Sequence, residues 1–353
     1  MSGGYVMIMA GGTGGHIFPG LAVAEILRAR GNNVTWLGTV TGLENRLVPQ
    51  AGIEFDAISI QGLRGRGLAG WLAAPLRILR AVWQARTVLR RRRPQCVLSM
   101  GGYVAGPGAL AARLMGIPLI VHEQNAVAGL TNRCLRPLAK RVMTGFPKTL
   151  PRGEHVGNPV RADIAAIESP ESRMAERTGA LRVLVVGGSQ GAAVFARIVP
   201  GALARLDPLK RPEVVHQAGR HLEETRQAYQ ASGAPGEVIE FIDDMAAEWA
   251  RADLAVCRAG ALTVAELAAA GVASVLVPFP HAVDDHQSAN ASFLSDAGAA
   301  WRVDQAEFTA EWLAGLLERI TRDDLTQMAC KARALARVDA AERVADACDE
   351  VTR

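Results

Sequence analysis

Two stretches decide how this chain folds: Met7-Ile8-Met9-Ala10-Gly11-Gly12-Thr13-Gly14-Gly15 and Leu184-Val185-Val186-Gly187-Gly188-Ser189-Gln190-Gly191. Each reads as a short apolar strand, then G-G-[S/T]-x-G, then a helical pattern. A glycine turn between a strand and a helix lets backbone N–H groups approach a phosphate closely, and the helix N-terminus adds favourable partial charge. Neither turn is the dinucleotide fingerprint. Ile17 stands where G-x-G-x-x-G requires its last glycine, and Gln190 occupies the place of the middle one. No G-x-x-x-x-G-K-[ST] occurs either, which argues against P-loop use of ATP. Two such turns in equivalent positions predict two Rossmann-like α/β domains facing across a cleft, with diphosphate binding as their shared task.

The remainder of the chain agrees with that reading. At 353 residues, 49% hydrophobic and 21% charged, it has the length of two packed domains. Short apolar runs alternate with longer helical patterns, the signature of parallel sheets covered by helices. Strands are expected at Tyr5 to Ala10, Val34 to Leu37, Cys96 to Met100, Leu119 to His122 and Arg141 to Thr144 in the first half. In the second they are expected at Arg182 to Val186, Glu213 to Gln217, Val238 to Phe241, Leu254 to Cys257 and Val275 to Val277. Gly157-Asn158-Pro159 ends the first domain, which places the domains at 1–161 and 162–353. Asp323 to Asp349 reads as a last helical pattern, expected to pack back across the junction.

Charge separates the halves. Residues 1–161 hold 20 Lys+Arg against 6 Asp+Glu, a net +14, whereas the rest carries 19 against 29, a net −10. No acid falls between Asp56 and Glu123, a span that holds ten arginines. Such a field attracts polyanions. Within it, Leu68, Trp71, Leu72, Leu76, Leu79 and Trp83 recur near helical spacing among Arg77, Arg80, Arg86 and Arg90 to Arg93. The stripe suits an anionic membrane surface; the plainer reading is a core-packed helix with a solvated basic face. Nucleic acid is the rival partner, but no helix-turn-helix, zinc-finger or RNP pattern supports it, so none is expected. The five cysteines lie far apart without C-x-x-C, which argues against a disulfide framework or structural zinc and for the cytosol. No secretory signal or spanning segment is expected.

Three groups carry candidate chemistry. His16, directly after the first turn, is placed to take a proton from an attacking hydroxyl, or to hold a phosphate. Glu266, one turn into the helix that follows Arg258-Ala259-Gly260, suits ribose hydroxyls, or is a surface helix residue. Asp284-Asp285-His286-Gln287 with Asn290 opens another helix; metal ligation competes there with helix capping, and the chain has no D-x-D, so no metal is expected.

Taken together, Gly11 to Gly20, Gly101-Gly102-Tyr103-Val104-Ala105-Gly106-Pro107, His122-Glu123-Gln124-Asn125, Gly157-Asn158-Pro159-Val160-Arg161, the second glycine turn and Arg258 to Glu266 resemble the MurG family over almost the whole chain. These are bacterial N-acetylglucosaminyltransferases that convert lipid I to lipid II in peptidoglycan synthesis. The resemblance implies a GT-B fold and inverting transfer from UDP-N-acetylglucosamine to the C4 hydroxyl of the muramoyl sugar of undecaprenyl-linked lipid I, with no cofactor, at the cytoplasmic face of the cell membrane. It implies a donor site of Thr13, Gly14, Gly15, Asn125, Arg161, Ser189, Ile242, Ala261, Leu262, Thr263, Val264, Ala265, Glu266 and Gln287. Ile242 would meet the uracil, Glu266 the ribose, and Ser189 with the Leu262 to Thr263 helix start the diphosphate. His286 is the alternative to Gln287, and Glu123 the alternative to His16 as base. A related glycolipid synthase, a UDP-N-acetylglucosamine 2-epimerase or a basic membrane-binding scaffold remain competing readings.

Overall fold

The structure is a computed structural model. It describes residues 4–60, 74–188 and 191–352. Ser189, Gln190, Leu68, Trp71 and Leu72 lie outside the described residues. The chain divides into two units, one of Met1–Arg161 with Arg337–Arg353, the other of Ala162–Ala336. The second unit thus ends at Ala336 rather than 353.

In the first unit the strands are β1 (Tyr5–Ala10), β2 (Asn33–Thr39), β3 (Glu54–Ile58), β4 (Cys96–Gly101), β5 (Leu119–Glu123), β6 (Arg141–Thr144) and β7 (Glu154–His155). They pair in the order β3-β2-β1-β4-β5-β6-β7, every pair parallel. β1 is apolar throughout because both faces are covered. Val6, Ile8 and Ala10 join a core with α1 (Gly14–Ala29) and the C-terminal helix Ala340–Thr352. Met7 and Met9 join a second core, beneath α3 (Ala74–Arg92) and α4 (Ala105–Leu114). A further short helix, α2 (Glu44–Gln50), follows β2.

The expected last helical pattern is two helices, with a break at 335–339. Each part buries its apolar face in a different unit. Leu325, Ala329 and Ala332 are buried in the second unit, whereas Val344, Ala345, Ala347 and Cys348 pack in the first unit's core with α1 residues. Arg30 of the α1 C-cap fixes that contact through Asp346 at 2.8 Å and Asp349 at 2.9 Å.

The second unit pairs β8 (Arg182–Val186), β9 (Glu213–Gln217), β10 (Glu237–Ile239), β11 (Leu254–Cys257), β12 (Ala273–Leu276) and β13 (Ala300–Arg302) in the order β10-β9-β8-β11-β12-β13, again all parallel. In both sheets the strand order reverses beside the first strand, between β1 and β4 and between β8 and β11. Open α/β sheets bind ligands at that point, outside the carboxyl ends of the strands.

α3 turns its smallest side chains inward. Ala74, Ala81, Ala85 and Leu89 are buried, while Leu76, Leu79 and Trp83 stand 74%, 65% and 70% exposed among Arg77, Arg80 and Arg86. Arg91 pairs with Asp56, and Arg92 bonds the same carboxylate at 2.8 Å. No described helix is long and apolar enough to cross a membrane.

Candidate functional site

At the first unit's switch point, the glycine turn after β1 and the loop after β4 touch. Gly102 has φ +86°, and a Cβ there would lie 2.2 Å from the Gly11 carbonyl oxygen, so only glycine lets these backbones meet. Glu44, buried at the start of α2, accepts from the Gly12 N–H at 3.2 Å, the Thr39 N–H at 2.9 Å and the Thr39 hydroxyl at 2.6 Å. It ties the turn to the end of β2. Thr13 is the N-cap of α1; its carbonyl accepts from His16 N–H, but its side chain caps nothing. Thr13 is exposed, and Gly14, Gly15 and His16 are half-buried at the helix start.

His16 is held from β5. Its Nδ1 lies 3.0 Å from Gln124 Oε1. Gln124 Nε2 lies 3.2 Å from His122 Nδ1 and donates to the His122 carbonyl at 3.3 Å. His122 Nε2 lies 2.9 Å from the Gly157 carbonyl oxygen. Burial pushes the His122 pKa down to about 4. Next in sequence, Glu123 is buried with both oxygens occupied. One accepts from Asn125 N–H at 3.0 Å and the Asn125 amide at 3.4 Å; the other accepts from Gly129 N–H at 3.1 Å and Asn132 Nδ2 at 2.9 Å. This carboxylate holds the 124–132 loop in shape. Half-buried Arg161 ends the unit, three residues after Asn158, whose amide donates to the Gln124 carbonyl at 2.9 Å.

The second unit repeats the plan with different fasteners. Gln217 at the end of β9 accepts from Gly188 N–H at 3.0 Å and donates to the Gly188 and Glu240 carbonyls at 3.1 and 2.9 Å. It thereby fixes the glycine turn beside the loop that carries buried Ile242. Gly191, at φ +67°, would drive a Cβ to 2.3 Å from the Ala218 carbonyl oxygen. Across the switch point α7 (Ala261–Ala270; α5 being Leu130–Leu135 and α6 Ala193–Arg205) begins after Gly260, an N-cap with no side chain to satisfy the first N–H groups. Leu262, Thr263, Ala265 and Glu266 are half-buried along this helix start, while Ala261 and Val264 are buried. Trp249 Nε1 donates to Glu266 Oε2 at 3.3 Å.

Arg258 braces this edge. It donates to the Val277 and Pro278 carbonyls at 3.0 and 3.1 Å and to Gln305 at 2.6 Å, and lies over the Phe195 and Phe279 rings. Burial lowers its pKa to about 10. Asp284 and Asp285 both adopt left-handed φ just before α8 (His286–Ser295). His286 Nδ1 donates to the Val283 carbonyl at 2.6 Å, and Gln287 Oε1 accepts from Phe279 N–H at 2.9 Å. Asn290 is buried and donates to the Ala259 carbonyl at 3.1 Å, joining α8 to the loop before α7.

The residues expected in the first half, Thr13, Gly14, Gly15, His16, Glu123 and Asn125, therefore gather at the carboxyl edge of one sheet, and Arg161 closes that segment. Ile242, Ala261 to Glu266 and Gln287 gather at the carboxyl edge of the other. Sequence reading passed over Glu44 and Gln217 and quoted His122 and Gln124 in a motif without giving them a role; all four shape the turns from behind. Glu44 and Gln217 stand in no motif, because the backbone groups they bond are brought to them only by the fold.

Two doubly wound sheets, each with a glycine turn at its switch point, define a two-domain α/β protein of the class that binds diphosphate-bearing ligands at strand ends. The glycosyltransferase family 28 N-terminal domain matches residues 6–144, and the glycosyltransferase family 28 C-terminal domain matches residues 182–350. The chain belongs to glycosyltransferase family 28. It is 58% identical over 98% of its length to the UDP-N-acetylglucosamine–N-acetylmuramyl-(pentapeptide) pyrophosphoryl-undecaprenol N-acetylglucosamine transferase of Aromatoleum aromaticum, covering 97% of that protein. The protein of the same name from Alkalilimnicola ehrlichii is 58% identical, with 99% of each chain covered. Among solved structures, Acinetobacter baumannii MurG is similar with a TM-score of 0.85 and 44% identity, over 98% of this chain and 99% of that one.

Proposed function

We propose that this protein is an inverting glycosyltransferase that moves N-acetylglucosamine from UDP-N-acetylglucosamine to the C4 hydroxyl of the muramoyl sugar of lipid I, giving lipid II and UDP. What carries the reading is the full-length likeness to transferases of that name, with both glycine turns in place. In the second unit, Ile242 is assigned to the uracil, Glu266 to the ribose, and Ser189 with the Leu262 to Thr263 helix start to the diphosphate. Ala261, Val264, Ala265 and Gln287 complete the donor set there. In the first unit, Thr13, Gly14, Gly15 and Asn125 are assigned to the donor site, and Arg161 to the charge that develops on the leaving diphosphate. Fixed N–H dipoles and a guanidinium stabilise such charge without reorganising as it appears.

The acceptor hydroxyl must lose its proton as it attacks. His16 is assigned as the base, because its Nε2 has no hydrogen-bond partner among the described residues. Glu123 is the second choice, since four N–H donors already engage its carboxylate. The enzyme is assigned to the cytoplasmic face of the bacterial cell membrane as a peripheral protein, with α3 on the anionic surface that holds the polyprenyl-anchored acceptor. Product analysis after mixing the protein with lipid I and UDP-N-acetylglucosamine tests the reading. Formation of lipid II and UDP supports it; sugar epimerisation without transfer, or no reaction, refutes it.

A further inference from the structure

We propose that Gln124 and His122 are positioning residues that hold His16 in a single tautomer, Nδ1 protonated and Nε2 bearing the lone pair, through a hydrogen-bond chain anchored on two backbone carbonyls. The inference deepens the assignment of His16 as base and rests on it for its consequence, though not for its geometry. The direction of the chain follows from its ends. A carbonyl oxygen only accepts, so the His122 nitrogen 2.9 Å from the Gly157 oxygen must carry the hydrogen. His122 is buried and stays neutral near pH 7, its pKa being pushed down to about 4, so its Nδ1 is a lone pair. The Gln124 side chain meets that lone pair at 3.2 Å and the His122 carbonyl oxygen at 3.3 Å. Two acceptors on one side fix the amide with its NH₂ toward them, because the flipped amide would set oxygen against both.

Gln124 Oε1 therefore faces His16, and the His16 Nδ1 at 3.0 Å must be the donor. The opposite tautomer would oppose two lone pairs. The Gln124 main-chain carbonyl is itself held by Asn158 at 2.9 Å. Gly101, with φ +99°, leaves the flank of the ring clear, where a Cβ would sit 3.1 Å from Cε1 and Nδ1. The chemical result is directional. As the acceptor oxygen bonds to the anomeric carbon and the bond to UDP breaks, the hydroxyl proton passes to Nε2. Nδ1 keeps its hydrogen against the neutral amide oxygen, with no second proton transfer.

The test is ¹⁵N–¹H correlation spectroscopy of the full chain with labelled histidines, His16 being assigned by the loss of its signals in His16→Gln. The expected wild-type pattern is pyrrole-like Nδ1 and pyridine-like Nε2. Gln124→Leu should turn His16 predominantly to the Nε2–H form and lower kcat by roughly tenfold or more with the donor KM unchanged. Gln124→Glu, which sets an oxygen against both acceptors on His122, should likewise fail to keep the wild-type pattern. A wild-type His16 in the Nε2–H form overturns the proposal without recourse to any variant, and so does a tautomer indifferent to Gln124→Leu. If the tautomer follows the variants while turnover does not, the chain stands and the assignment of His16 as base falls.

Discussion

Replacing Leu79 and Trp83 together by alanine isolates the apolar contribution of α3 to membrane binding. These side chains are 65% and 70% exposed, so most of their apolar surface is still available to a bilayer. Full burial of such a side chain is worth about 1.5 to 3 kcal/mol; with two-thirds of each exposed and about half of that entering the headgroup boundary, the pair contributes about 1 to 2 kcal/mol. That corresponds to a loss of roughly five- to thirtyfold in vesicle affinity. Because neither side chain supports the core, the melting temperature and UDP affinity should stay at wild-type values. The charge contribution is separable. Arg77, Arg80, Arg86 and Arg90 are exposed on the same helix, whereas Arg91 and Arg92 are engaged by Asp56. Each free arginine near an anionic surface adds about 1 kcal/mol, screened over a Debye length of about 8 Å at physiological salt. Sedimentation with anionic and neutral vesicles at two salt concentrations measures both contributions. Double-variant binding equal to wild type, or equal binding to neutral and anionic vesicles, refutes the reasoning and returns α3 to a solvated surface helix.

Glu266→Ala should weaken UDP binding in calorimetry by about 1.5 to 3 kcal/mol, the range for hydrogen bonds to a charged group; unchanged affinity removes Glu266 from the site. His16→Ala should lower turnover by roughly a hundredfold or more with UDP affinity nearly intact, and a loss confined to the acceptor KM would move the base to Glu123. Transfer should persist in excess EDTA; complete loss restored by magnesium or manganese would defeat the metal-free assignment. Burial lowers the pKa of both His122 and His216 from 6.5 to about 4. The unfolded chain therefore binds protons that the folded one refuses, and stability should fall between about pH 6.5 and 4 by on the order of 3 kcal/mol per histidine. Urea titrations across that window, compared with His122→Gln and His216→Gln, check it; a flat profile contradicts the burial argument.

The central strands were legible because burial on two faces favours apolar runs. β1, β6, β8, β9 and β11 fall where the apolar runs lie. Three of the four edge strands were not legible. β3 carries Glu54 and Asp56, whose charges are met by Arg91 and Arg92 some 35 residues away in sequence. β7 and β13 have two and three residues, too few to show a period. At the site, the turns and helix starts were readable from glycine spacing and Gln124 stood in a motif without a role, whereas Gln217 acts through the backbone of Gly188 and Glu240, which no sequence pattern marks. Spacing left Trp83 and the leucines beside it open between a membrane-facing stripe and a core stripe; they stand exposed, and the alanines opposite them are the packed face.

The C-terminal helix belongs to the unit that begins with residue 1, so the second unit is, topologically, an insertion into the first. During synthesis the second unit has all its residues before the first does. Until residues 340–352 leave the ribosome, the surface of α1 that receives Val344, Ala345 and Cys348 is uncovered. Order of completion therefore runs opposite to order of translation, and a chain cut short after Ala336 loses part of the core around the very helix that presents His16.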